Sequence, residues 1–179
     1  MRLKLFTQRQ NNSRLKIKDI TLMALMVAII EVSKVALAQI PNVELTSFWI
    51  VMFTLYFGKR IFYVIPVFIL IEGAMYGFGL WWIMYLYAWL LLAFITLLLR
   101  KMKGVWEWSM VSGLFGLSFG LLCAIPYIFT SGIYGAFAYW VAGIPFDLIH
   151  GIANFVIMLV LHQPMKRVMA KMSKDEIYI

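Results

Sequence analysis

The sequence predicts an all-α integral membrane protein: a bundle of six transmembrane helices with both termini in the cytoplasm. Three observations lead there. Hydrophobic residues make up 64% of the 179-residue chain and charged residues only 13%. Soluble domains run near half apolar and a quarter charged, and a chain this short has too little interior to hide the excess. The apolar residues also fall into six runs, several close to the roughly 20 residues that a bilayer core demands. Finally, the cations gather at alternate run ends.

The first run is about Ile17 to Ile40, stopped by Pro41-Asn42. The second is Val43 to Phe57, stopped by Gly58-Lys59-Arg60. The third, Ile61 to Tyr76, contains Pro66. The fourth, Leu80 to Leu99, is closed by Arg100-Lys101-Met102-Lys103-Gly104. The fifth is Trp106 to Ile128, with Pro126 near its end, and the sixth is Pro145 to Leu161, followed by Pro164. Runs two and three are short and need a thinned bilayer or interfacial residues. The resulting organisation is a basic tail at 1–16, a membrane domain at 17–165 and a second tail at 166–179.

Fifteen of the 16 Lys and Arg residues lie in the two tails, at Lys18 just past the first of them, and in the turns 59–60 and 100–103. The loops near 41–46, 77–80 and 129–144 have none. Six crossings put all 15 on one face, and the positive-inside rule makes that face cytoplasmic. The net charge of +8 is therefore an orientation signal, not a sign of nucleic-acid binding. The basic start, the stretch Ile20–Ile30 and then Ala36-Leu37-Ala38 resemble a signal peptide, but the run is expected to stay as a membrane helix. The single cysteine, Cys123, excludes a disulfide or thiolate metal site within one chain. No metal or cofactor is expected.

Ionisable groups inside a membrane usually mark a functional interior. Lys34, Glu72, Asp147 and His150 qualify, with Glu31 as a fifth and Asn154 as a neutral companion. In the predicted topology all lie in the outer halves of their helices, which points to a pocket open to the outside. Asp147, His150 and Asn154, spaced three and four apart, share one helical stripe. Pro145 and Asp147 suit a first helical turn, so Asp147 as a cap with His150 as its partner is the structural alternative. Glu31 and Lys34, three apart, can pair with each other.

Aromatics surround these positions. Trp82, Tyr85 and Trp89 form a stripe with Trp81 beside it, and Tyr127, Tyr134, Tyr139 and Trp140 flank the last outer loop. An interfacial belt explains some of them. The deeper ones suit a flat, polar heterocycle. Gly116-Leu117-Ser118-Phe119-Gly120 matches the G-x-S-x-G pattern of hydrolases, but that motif needs a strand-to-helix elbow and this one is expected mid-helix. Gly116 and Gly120 are better taken as a packing face. Ala24-Leu25-Met26-Val27-Ala28 is a small-xxx-small motif that lets another helix approach closely.

These features together resemble the substrate-binding S components of energy-coupling factor (ECF) transporters. The likeness rests on the six runs, on Ala24/Ala28 and on the stretch Gly143-Ile144-Pro145-Phe146-Asp147-Leu148-Ile149-His150-Gly151-Ile152-Ala153-Asn154. It implies capture of a vitamin or vitamin precursor from outside. It also implies docking through Ala24 and Ala28 onto a membrane scaffold subunit that carries two cytoplasmic ATPases. No chemistry is implied, and no Walker motif is present. The expected pocket residues are Asp147, His150, Asn154, Glu72, Lys34, Trp82, Tyr85, Trp89, Tyr127 and Tyr139. The ligand class is left open: thiamine-like, pyrimidine-like, corrinoid or another vitamin. Two alternatives stand beside this: a membrane enzyme with an Asp147/His150 acid–base pair, and a structural protein whose polar residues only join helices.

Overall fold

The computed structural model describes residues 16–174, and no strand occurs among them. The helices are α1 (Ile17–Leu37), α2 (Thr46–Phe57), α3 (Ile61–Tyr76), α4 (Leu80–Leu98), α5 (Val105–Leu117) and α6 (Phe119–Lys174). A 3-10 turn, Gly58–Arg60, joins α2 to α3. Four stretches are long and apolar enough to cross a bilayer: Ile17–Leu37, Thr46–Tyr76, Leu80–Leu98 and Val105–Met172. The chain is a multi-pass helical membrane protein. The second of these stretches contains the 3-10 turn, and the last contains two breaks.

One break is at Ser118, between α5 and α6. The expected fifth run is therefore two helices, although the Leu122 N–H still donates to the Ser118 carbonyl at 3.1 Å. The Gly116–Gly120 motif straddles this break instead of lying mid-helix. Its serine is exposed and donates its hydroxyl to the Leu114 carbonyl. The other break is Gly132, at φ 71° and ψ 176°, a conformation open essentially to glycine alone. Beyond it the helix runs on to Lys174, so Pro145 and Pro164 lie inside α6 rather than at its ends. Both prolines are exposed, on the face turned away from the bundle. Residues 166–174, expected as tail, continue the helix, whereas nearly all of the 1–16 tail and residues 175–179 lie outside the described residues.

α2 is the central helix. Nine of its 12 residues are buried, and it packs against α1, α3, α4, α5 and α6. Twelve residues reach only about 18 Å, well short of the roughly 30 Å hydrocarbon core. A helix wrapped by other helices need not meet lipid along its length, which is how so short an element is accommodated. α6 crosses close to α5. A Cβ on Gly116 would lie 2.9 Å from both the Gly151 Cα and the His150 carbonyl oxygen, so glycine is required there by backbone approach.

The two ends of the bundle differ. The Arg60 guanidinium pairs with Asp19, which places the basic start of α1 beside the 3-10 turn. Arg100, just past the end of α4, lines one cavity with Lys59 and Arg60. The opposite end brings the last turns of α1 and α3 to the first turns of α2 and α4, and the polar side chains gather there.

Candidate functional site

The polar end holds a cleft of about 410 Å³, whose lining includes Lys34, Glu44, Glu72, Tyr76, Trp81 and Tyr85. A second cavity of about 150 Å³ shares Lys34, Asn42, Glu44 and Tyr85 with it and adds Trp89, Phe119 and His150. The two adjoin, so the cleft deepens from the α1–α2 loop toward α6.

That loop supplies the group the sequence reading missed. Pro41 stops the first apolar run, and Asn42 follows at φ 59°, a left-handed geometry that Asn tolerates better than most residues. The turn carries Glu44 onto the N-terminus of α2. Its carboxylate accepts the Thr46 N–H, the Ser47 N–H at 3.2 Å and the Ser47 hydroxyl at 2.6 Å. His150 Nε2 lies 3.2 Å from Oε1, the oxygen that also accepts the Ser47 hydroxyl. The helix dipole adds to this, since an anion is favoured at an N-terminus. One signal in the sequence would have found Glu44: it is the sole acid in the three cation-free loops.

Burial alone would raise the Glu44 carboxyl, but the hydrogen bond and charge of His150 and the Ser47 and Thr46 donors outweigh it and hold it at about 2, against an ordinary 4.5. A depressed carboxylate stabilises the fold above its unfolded value and loses that contribution as pH falls through the folded value. The wild type should therefore lose roughly 3 kcal/mol more than Glu44→Gln between pH 4.5 and 2. Thermal unfolding in detergent across that window measures the difference, and parallel curves would remove the assigned role.

Lys34 does not turn to Glu31, its neighbour on α1. Its ammonium pairs with Glu72 on α3, whose side chain is 0% exposed. The same ammonium stands 5.2 Å from the Tyr76 ring centre and 5.4 Å from that of Tyr85, within cation–π range. Glu31 lies near enough to interact with both charges of that pair, and its buried carboxyl stands within hydrogen-bond reach of the Glu72 carboxyl.

The aromatic wall on α4 differs by one residue from the expected stripe. Trp81, Tyr85 and Trp89 meet edge to face, with both successive centroid distances at 5.2 Å. Trp82 instead faces α3 and donates its indole N–H to the Ile69 carbonyl at 2.8 Å. A helix apolar on every side gives periodicity little to distinguish neighbours by.

The other expected residues hold the framework and are absent from the lining of these two cavities. The Gly120 N–H, in the first turn of α6, donates to Asp147 Oδ1 at 2.8 Å, so Asp147 caps that segment from the next. Asn154 donates to the Ser47 hydroxyl at 3.3 Å and ties α6 to α2. Tyr127 and Tyr139 stack at 4.1 Å across the Gly132 break. Ala24 and Ala28 are exposed along α1, among Ile17, Ile20 and Val35.

Two buried polar atoms of the lining residues find no complementary donor or acceptor in the protein: the indole N–H of Trp89, and Oε1 of Glu72, whose carboxyl stands against that of Glu31. Such orphans are uncommon because an unmade hydrogen bond costs about 1–3 kcal/mol. One is a donor and the other an acceptor, and they lie beside the edge-to-face rings of α4. The arrangement suits a flat molecule that carries both an acceptor and a donor or cationic portion. Among the described residues no group of three or more His, Cys, Asp or Glu side chains could hold a metal ion.

The fold and the cleft define a helical membrane protein with a polar, aromatic-walled cavity at one end. Comparison with family models, with curated proteins and with solved structures returns no match to this chain.

Proposed function

We propose that the chain is a high-affinity substrate-capture subunit of an ECF-type importer, binding a vitamin or vitamin precursor from outside the bacterial cell membrane. In this reading it crosses the membrane six times with both termini cytoplasmic. The observation that carries the proposal is the pair of orphaned groups, Trp89 Nε1 and Glu72 Oε1, beside a cleft at the end of the bundle away from the clustered cations. The resemblance in helix count, in Ala24/Ala28 and in the helix-six stretch supports the same class. The exposed Ala24 and Ala28 would meet the scaffold subunit that carries the two ATPases. The alternative acid–base enzyme has less to draw on, since Asp147 faces Gly120 and His150 faces Glu44.

The test is binding by purified protein without ATP. A panel of water-soluble vitamins and their precursors is screened by thermal shift and followed by calorimetry. One member is expected to bind below micromolar concentration. Trp89→Phe keeps an aromatic ring, smaller than the indole, and removes the orphaned N–H, and should weaken that binding by about 5–10-fold. A panel in which nothing shifts the melting temperature would sink the proposal.

A further inference from the structure

A separate cavity lies at the basic end, sharing no lining residue with the cleft. It measures about 500 Å³ and is lined by Thr54, Leu55, Phe57, Gly58, Lys59, Arg60, Leu97 and Arg100. Three cations meet there from two separate connections, and no acid is among the lining residues. Leu55, Phe57 and Leu97 form an apolar wall beside them. Asp19, paired with Arg60, and the carbonyl ends of α2 and α4 offset part of the positive charge. The balance suits a singly charged anion better than a polyphosphate.

We infer that this cavity binds the headgroup of an anionic phospholipid, with the phosphate against Lys59, Arg60 and Arg100 and the start of an acyl chain along Leu55, Phe57 and Leu97. Basic pockets between helices at the membrane surface are the recurrent way such headgroups are held. A free phosphate ion would use the cations but not the apolar wall. The site is independent of the capture reading and stands or falls without it.

Native mass spectrometry of the full chain, from micelles carrying phosphatidylglycerol or phosphatidylcholine, tests the inference. Phosphatidylglycerol should be retained and phosphatidylcholine lost. Lys59→Gln with Arg100→Gln should weaken that retention about 25-fold, taking roughly 5-fold for each cation at the surface. Both residues are exposed, so the fold should tolerate the change. Lys101→Gln with Lys103→Gln removes equal charge from the α4–α5 connection outside the cavity lining and should leave retention within about 2-fold, well below the loss expected for cavity cations. Equal losses in the two double variants would overturn the site in favour of diffuse attraction. Equal retention of both lipids, or stabilisation by inorganic phosphate without lipid retention, would also overturn it.

Discussion

Replacing Lys34 with methionine should destabilise the protein by about 3–5 kcal/mol, the usual cost of breaking a buried ion pair from one side. Glu72 has no exposed side-chain surface, and its second oxygen already lacks a partner. Without the ammonium, Glu72 and Glu31 would share one apolar interior with no cation between them. The Tyr76 and Tyr85 rings would lose their cation as well. The double variant Lys34→Met with Glu72→Gln should recover most of the loss, since the charge is then removed from both sides. Unfolding in mixed micelles measures both. A loss under about 1 kcal/mol in the single variant would mean that the pair is solvated like a surface salt bridge.

Tryptophan at Ala24 or Ala28 should reduce ligand uptake by cells at least about 10-fold while purified protein binds the ligand as before. Small residues one turn apart allow close helix approach, and an indole there holds the partner off. Both alanines are exposed, so nothing among the described residues covers their surface. Neither lines the cleft. Uptake in whole cells and calorimetry on the purified variants separate the two effects. Unchanged uptake, or binding lost along with it, would show that this face does not dock a scaffold.

Much of the fold was legible because lipid imposes simple rules. Apolar runs bounded by cations or by Pro and Gly gave α3 its bounds to the residue and placed the ends of α1 and α4 within three residues. The stripe of Asp147, His150 and Asn154 holds as one buried face of α6. What failed was whatever depends on a distant partner. Lys34 had a plausible neighbour in Glu31, and only the packing of α1 on α3 makes Glu72 the partner. Asp147 looked like the cap of its own helix because Pro145 precedes it, yet it caps the other segment of α6. Glu44 sat in a loop, where a carboxylate is ordinarily left to water. Its importance appears only once α2 is seen to start beneath it and α6 to pass beside it.

The Glu44–His150 contact joins residues 106 positions apart, and Ser47–Asn154 joins residues 107 apart. During synthesis at about 5–20 residues per second, the loop waits roughly 5–20 s for its histidine to be made. Until then α2 has lost neither its short length nor its need for cover, and its start is held by one carboxylate alone. A ribosome stalled before residue 150 would leave the smaller cavity without its histidine and α2 uncovered on its α6 side. Completion of the cavity at the polar end is thus tied to synthesis of the second segment of α6, long after the rest of its lining has been made.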